Sequence, residues 1–282
     1  MILLTGATGN SGSEVAQQLG TKGARFRALA RNPAKATTLK NSGAEIVAGD
    51  LADPASLGAA FEGVDTVFLL APPLPNQEEL EANLLDAAKK ARVRRIVKFS
   101  AMTADPKSTS RFPRAHGKIE EKIRASGLAW TFIRPTFFMQ NMLGLAEMVK
   151  GGTIYQPAGK SRASFVDTRD IAAVAVAALT EPGHDGKAYD VTGPELLNYD
   201  DVAAIFSKVT GRTVKYQDIP PQAAKQAMMG MGIPQWNADG INELMDQMRA
   251  GEYERLSTAV SDVGHKKPTT LEQFVRENAA AW

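Results

Sequence analysis

A chain of 282 residues and 30.2 kDa is long enough for one large or two small domains, and 44% hydrophobic with 23% charged residues argues against a disordered or fibrous polymer. Thirty-three basic residues against 31 acidic ones leave a net charge of +2, which gives no reason to expect nucleic acid or an acidic membrane as partner. With no cysteine, disulfides, thiolate metal sites and cysteine nucleophiles are excluded; no apolar run approaches the roughly 18 residues of a membrane helix, and no basic leader precedes Glu14, so a soluble, cytoplasmic, enzyme-sized chain is expected.

Short apolar runs then alternate with helical patterns. Ile2–Thr5 leads into Gly6-Ala7-Thr8-Gly9-Asn10-Ser11-Gly12 and an amphipathic stretch through Leu19. Phe26–Ala30 precedes a helix opened at Pro33, Ala44–Ala48 precedes Asp50 and a helix from Pro54 to Phe61, and Thr66–Leu70 stops at Ala71-Pro72-Pro73 before a helix over Glu78–Ala91. Arg95–Ser100 is a fifth strand, followed by a helix from about Arg114 to Ser126 and a strand at Trp130–Ile133. Strands alternating with helices of ten to fifteen residues imply βαβ units and a parallel sheet covered on both faces. After Pro135 the rhythm changes: a Met- and Phe-rich helix is predicted over Phe137–Val149, one further strand at Tyr189–Val191, and helices elsewhere. The expected architecture is α/β, a Rossmann-like doubly wound parallel sheet over residues 1–150, with a smaller, mostly helical lobe over 151–282 on the sheet's carboxyl edge.

Strand, glycine-rich turn and helix form the context for a phosphate cradle. Gly6 permits a tight turn, Gly9 lets backbone approach a pyrophosphate, and Gly12 allows close helix–sheet packing, although the spacing is GxxGxxG rather than GxGxxG. Sites selective for NAD place an acid after the second strand to accept from the ribose 2′-hydroxyl. Here no acid lies between Glu14 and Glu45, and the interval holds Lys22, Arg25, Arg27, Arg31, Lys35 and Lys40. Lys22, Lys35 and Lys40 are expected in solvent, whereas Arg31, just past the second strand, can bind a 2′-phosphate, which makes NADP the expected cofactor. Asp50 suits either the adenine amino group or a cap for the turn before Pro54. Ala71, Pro72 and Pro73 suit the ribose–nicotinamide edge or a simple strand stop.

The proton chemistry of tyrosine-dependent dehydrogenases is missing. None of the five tyrosines, the first being Tyr155, has a lysine four residues later. His116, His184 and His265 are isolated, so no metal site is expected. His116, Ile119, Glu120 and Ile123 share a helical face, which turns His116 inward, either as a donor to a substrate oxygen or as a half-buried histidine bonded to a backbone carbonyl. Lys118 and Lys122 are expected outside, paired with neighbouring glutamates. Phe137, Phe138, Met139 and Met142, with Met228, Met229, Met231 and Trp236, suit core or the wall of a flat apolar pocket, and the glycines in Ala227–Trp236 favour a lid.

Gly6–Gly12, Ala30-Arg31-Asn32-Pro33, Gly49-Asp50-Leu51, Arg134–Asn141, Phe165–Ala172 and Thr270–Val275 together resemble the NmrA-like atypical short-chain dehydrogenases, in particular their bacterial branch of quinone and triphenylmethane-dye reductases. The resemblance covers essentially the whole chain. It implies NADPH across the carboxyl ends of the strands, with Gly6, Ala7, Thr8, Gly9, Asn10 and Ser11 at the pyrophosphate and Arg31 at the 2′-phosphate. Asp50 and Leu51 would lie toward the adenine side. Ala71–Pro73 and Pro135, Thr136, Phe137, Phe138, Met139 and Gln140 would flank the ribose and nicotinamide. His116 takes the place of a histidine of the quinone and dye reductases and of a lysine in plant isoflavone-reductase-like relatives. The expected activity is NADPH-dependent reduction of quinones or similar flat conjugated acceptors, with Phe137, Phe138, Met228, Met231 and Trp236 lining the substrate pocket. The expected partner is therefore a small aromatic or quinone substrate, with a homodimer allowed and neither nucleic acid nor membrane involved. The alternative is a non-catalytic NAD(P)-binding redox sensor acting on a protein partner.

Overall fold

The computed structural model describes the backbone of residues 1–282 and all side chains except those of Lys35, Thr37, Thr38 and Lys40, so the expectation that Lys35 and Lys40 face solvent lies outside the described side chains. In the first half, β1 (Ile2–Leu4), α1 (Asn10–Thr21), β2 (Phe26–Ala30), β3 (Glu45–Ala48), β4 (Thr66–Leu69), α2 (Gln77–Lys90), β5 (Arg95–Phe99), α3 (Arg111–Arg124) and β6 (Ala129–Pro135) follow in turn. The helices expected at Pro33 and Pro54 are tighter 3-10 turns, opened by the side chains of Asn32 and Asp53, which accept from the N–H groups of Ala34 and Ala55. The second half contributes β7 (Phe137–Phe138), α4 (Ala146–Lys150), β8 (Thr153–Gln156), β9 (Ala163–Val166), α5 (Thr168–Thr180), β10 (Lys187–Val191) and β11 (Leu196–Leu197). It ends with α6 (Tyr199–Thr210), β12 (Lys215–Asp218), α7 (Pro221–Gly230), α8 (Gln235–Arg249), α9 (Ala259–Asp262) and α10 (Leu271–Glu277).

Seven strands pair in the order β10-β6-β5-β4-β1-β2-β3, every neighbour parallel. The chain winds outward in both directions from β1 and β4, and the crevice beyond their carboxyl ends is where such sheets take ligands. Consecutive residues serve opposite cores. Leu3 packs with Leu57, Leu84 and Ile119, and Leu4 with Val15, Phe68 and Ala175, all of them unexposed. Burial on both faces is why these strands are continuous apolar runs without polar alternation.

Beyond residue 150 the chain returns to the sheet. α5 packs along α1, and β10 adds the edge strand beside β6. A single cut at 150 therefore does not separate sheet from lobe. The lobe has its own core, including Met139, Met142, Phe165, Phe206 and Phe274, and beside its helices carries two small sheets, β11-β9-β7 and β12-β8.

The helix expected over Phe137–Val149 is replaced by β7, a 3-10 stretch over Met139–Leu145 and the short α4. The reason lies in the period-two geometry of a strand. Phe137 enters the lobe core against Phe165 and Tyr253 (ring centroids 6.2 and 4.6 Å), while Phe138 turns to the sheet core, edge-on to Phe99 at 6.1 Å. One strand step thus joins two cores, which a single helical face would not do.

Candidate functional site

Two of its glycines give the glycine-rich turn its shape. Gly6 has φ of 67°, and a β-carbon there would fall 2.7 Å from Leu70. At Gly12 a β-carbon would fall 2.1 Å from the Gly6 carbonyl oxygen, so α1 approaches the turn only because the side chain is absent. Gly9 differs: its φ is −88°, and an added β-carbon would find only ordinary contact at 3.5 Å. Gly9 caps α1 with no side-chain hydrogen bond, no acid lies in the first turn, and Thr8, Gly9 and Asn10 are exposed while Ala7 and Ser11 are buried. Uncapped N–H groups at the positive end of a helix suit a phosphate.

Arg31 stands one residue past β2, exposed and with no hydrogen bond or ion pair to any described residue. Two of the nearby basic groups are engaged: Arg27 is buried against Glu45 and the carbonyls of Ala60 and Glu62, and Lys22 pairs with Glu181 at 2.6 Å. Asp50 accepts from the Ala52 N–H at 3.0 Å, and the turn at Pro54 is capped by Asp53 instead. Leu51 faces the core, its carbonyl accepting from Asn83 at 2.9 Å. Ala71 is buried and Pro72 and Pro73 are exposed; Asn237 of α8 donates to the Pro73 carbonyl at 3.0 Å, tying the lobe to the end of β4.

On the opposite side of the crevice, three expected cofactor contacts have engaged side chains. Thr136 donates to the Ser164 carbonyl at 3.1 Å, Met139 is core, and Gln140 both donates to Asp167 and accepts from the Thr168 N–H, each at 3.1 Å. They fasten β6 to β9 and α5. Pro135 is buried, and Phe137 and Phe138 are half-buried.

α3 places His116. Gly117 lies so close to the Asp105–Pro106 backbone that a β-carbon would fall 2.2 Å from it, which seats the helix against the loop after β5. Ile119, Glu120 and Ile123 are buried and His116 half-buried on the expected face. The partner of His116 is a side chain, not the carbonyl considered from sequence: its Nδ1 lies 3.2 Å from Nζ of Lys98. Lys98, unexposed within β5, pairs at 2.8 Å with the equally unexposed Glu81 of α2 and donates to the Phe99 carbonyl. Burial raises the Glu81 carboxyl pKa, and burial together with the Lys98 ammonium pushes that of His116 well below its ordinary 6.5. Glu120 is held by Ser100 at 2.6 Å, by Arg124 at 3.0 Å and by Arg134. Lys118 and Lys122 do pair with a glutamate, but with Glu78 across on α2, at 3.3 and 2.8 Å.

Met228 is half-buried near the end of α7, and Met231 is 65% exposed on the turn that follows, where Gly232 has φ of 85°. Trp236 is anchored, not free: its ring stands edge-on to Phe112 at 5.2 Å, and the Arg111 side chain grips both its carbonyl and Glu243. Sequence reasoning missed Lys98 and Glu81. The available signal was a lysine set among Ile96, Val97 and Phe99 in a strand expected to be covered on both faces. It also missed Tyr253, whose hydroxyl lies 3.0 Å from Thr103 beside Phe137 and whose pKa burial pushes up to about 12.

Residues 1–275 match the profile of the NmrA-like family. The chain belongs to that family. It is 42% identical over 283 residues to an NAD(P)H azoreductase of Xenophilus azovorans, covering 100% of this chain and 99% of that protein. Among solved structures, the NADPH-dependent quinone oxidoreductase of Escherichia coli complexed with NADPH superposes with a TM-score of 0.91 at 28% identity, over 98% of this chain and 99% of the other. The triphenylmethane reductase of a Citrobacter species complexed with NADP(H) gives 0.89 at 28% identity, with the same coverage. No helix among the described residues is long and apolar enough to cross a membrane.

Proposed function

We propose that this NAD(P)H-dependent oxidoreductase uses NADPH to reduce quinones or similarly flat conjugated acceptors. The observation that carries the reading is His116: a half-buried histidine at the carboxyl edge of the sheet, with no hydrogen bond from Nε2 to any described residue, in a chain whose first turn is shaped for a phosphate. NADP(H), when bound, supplies a hydride to the acceptor. The turn Gly6–Ser11 holds its pyrophosphate, Arg31 its 2′-phosphate, Asp50 and Leu51 border the adenine side, and Ala71–Pro73 with the backbone of Pro135–Gln140 flank the ribose and nicotinamide. Phe137, Phe138, Met228, Met231 and Trp236 exclude water around the acceptor. His116 donates a hydrogen bond to the acceptor oxygen, where negative charge grows. With its pKa depressed, the ring is a neutral donor near neutral pH and seldom an imidazolium acid. A flat electrophile held in a dry pocket needs little more, because orientation supplies much of the rate.

The kinds of relatives, an azoreductase, a quinone oxidoreductase and a dye reductase, support this class of acceptor. A cysteine-free chain also fits the reducing cytoplasm, the location this reading assigns. The test is NADPH oxidation against a panel of quinones, followed by the absorbance of the reduced nicotinamide. Turnover with several quinones is expected. Tight NADPH binding without turnover on any of them would overturn the reading in favour of a redox sensor.

A further inference from the structure

We propose that Lys98 is a positioning residue that locks His116 as the neutral imidazole carrying its proton on Nε2. The inference deepens the proposed reduction, since it fixes which nitrogen of His116 faces the acceptor as a donor.

It follows from counting protons on one buried ammonium. A lysine ammonium has three N–H donors and no lone pair. Within hydrogen-bond distance Lys98 meets three acceptors: Glu81 Oε1 at 2.8 Å, the Phe99 carbonyl, and His116 Nδ1 at 3.2 Å. Lys98 and Glu81 are both unexposed, so bulk water does not compete for any of the three. Nδ1 must then offer a lone pair, and a neutral imidazole with a bare Nδ1 carries its hydrogen on Nε2. A second proton on Nδ1 would point an N–H at an ammonium and set two cations 3.2 Å apart.

The surroundings supply nothing that offsets this. Glu81, on α2, is engaged by Lys98, which leaves that pair neutral as a unit. One turn along the helix, Glu120 is engaged by Ser100, Arg124 and Arg134, and on α8 Glu243 and Asp239 are engaged by Arg111 and Lys225. Nε2 makes no hydrogen bond to any described residue, so Nε2–H is the donor left for a ligand.

The chain has three histidines, so the protein labelled with nitrogen-15 at histidine gives three ring systems, and His116→Gln identifies the one in question. Long-range proton–nitrogen correlation spectra without substrate or cofactor should show His116 with Nε2 protonated and Nδ1 bare, unchanged from about pH 5 to 8. A Nδ1–H tautomer, which a deprotonated Lys98 would permit, or titration near the ordinary value of about 6.5 overturns the proposal. In the charge-neutral pair Glu81→Gln with Lys98→Met, the ring should mix its tautomers and its pKa should rise from the wild-type value while burial still holds it below the ordinary one; a ring that stays locked as the Nε2–H form also overturns it. The wild-type spectrum decides the tautomer even where the double variant does not fold. Because no acceptor is used, a protein that reduces no quinone would still report the locked ring, and a wrong tautomer would leave any measured NADPH turnover standing.

Discussion

The β-carbon that Gly12 lacks would fall 2.1 Å from the carbonyl oxygen of Gly6, whereas the one that Gly9 lacks would sit at 3.5 Å from that same oxygen. Two glycines of one motif therefore have different duties. Gly12→Ala forces helix and turn apart and should cost about 1–3 kcal/mol of stability, the usual penalty for overpacking. Gly9→Ala should change stability by no more than about 0.5 kcal/mol, typical of an open surface position, yet crowd the exposed face of the turn and weaken NADPH binding. Urea unfolding midpoints and cofactor titrations of the two variants should rank them in opposite orders; equal destabilisation would refute the division.

Arg31 is expected to select NADPH over NADH, because its guanidinium is exposed and uncommitted at the end of β2 while Arg27 and Lys22 are paired. Losing a charge-assisted contact costs about 1.5–3 kcal/mol, so Arg31→Ala should weaken NADPH binding about ten- to hundredfold and leave NADH nearly unchanged. Equal affinity of the unaltered protein for both cofactors, by calorimetry, would contradict the assignment.

The parallel sheet was legible because its signal is local: the six short runs read as strands in the first half are β1 to β6. Phe137–Phe138 was not, since two aromatic residues beside two methionines fit a helical face equally well, and only the pairing with Phe165–Val166 decides for a strand. The engaged side chains of Thr136 and Gln140 were hidden for the same reason, as Ser164, Asp167 and Thr168 lie 27 or more residues away. His116 could be turned inward from helical spacing alone, but its partner sits on β5, and periodicity within one element says nothing about the next.

The turn from Gly230 to Pro234 is expected to close over a bound acceptor while Trp236 stays fixed. Met231 is 65% exposed beside Gly232 at φ 85°, whereas Trp236 is pinned by Phe112 and Arg111. Amide exchange over residues 227–233 should slow when NADPH and a quinone analogue are both present, with little change from 236 onward. Strong protection before ligand is added, unchanged afterwards, would make the segment ordinary packing.

Asp167 should give the fold a measurable acid dependence. Burial alone would raise its pKa, but hydrogen bonds from the Arg169 side chain and backbone and from Gln140 bring it below the ordinary 3.8. A depressed carboxyl pKa stabilises the fold above the unfolded value, and that contribution is lost as pH falls through the folded one. Asp167→Asn should therefore cost about 1.5–3 kcal/mol near neutral pH, and its deficit against the unaltered protein should shrink below about pH 4. Parallel denaturation curves at the two pH values check this; a deficit constant with pH would remove the charge from the explanation.

His116 carries the last expectation. Reduction of a quinone leaves an oxygen that gains negative charge, and a neutral Nε2–H donor lowers the energy of that charge without surrendering its proton. A hydrogen bond to a charged group is worth about 1.5–3 kcal/mol, so His116→Ala should lower kcat about ten- to hundredfold. A full general acid would be missed more severely, by about 10²–10⁴, and its activity would fall as pH rises through an imidazolium pKa. Here burial and Lys98 hold that pKa well below 6.5, so the rate should be flat across neutral pH. NADPH affinity should be unchanged in the variant, since the histidine faces the acceptor. Normal turnover with a lowered melting temperature would instead mark His116 as a packing residue and remove it from the site.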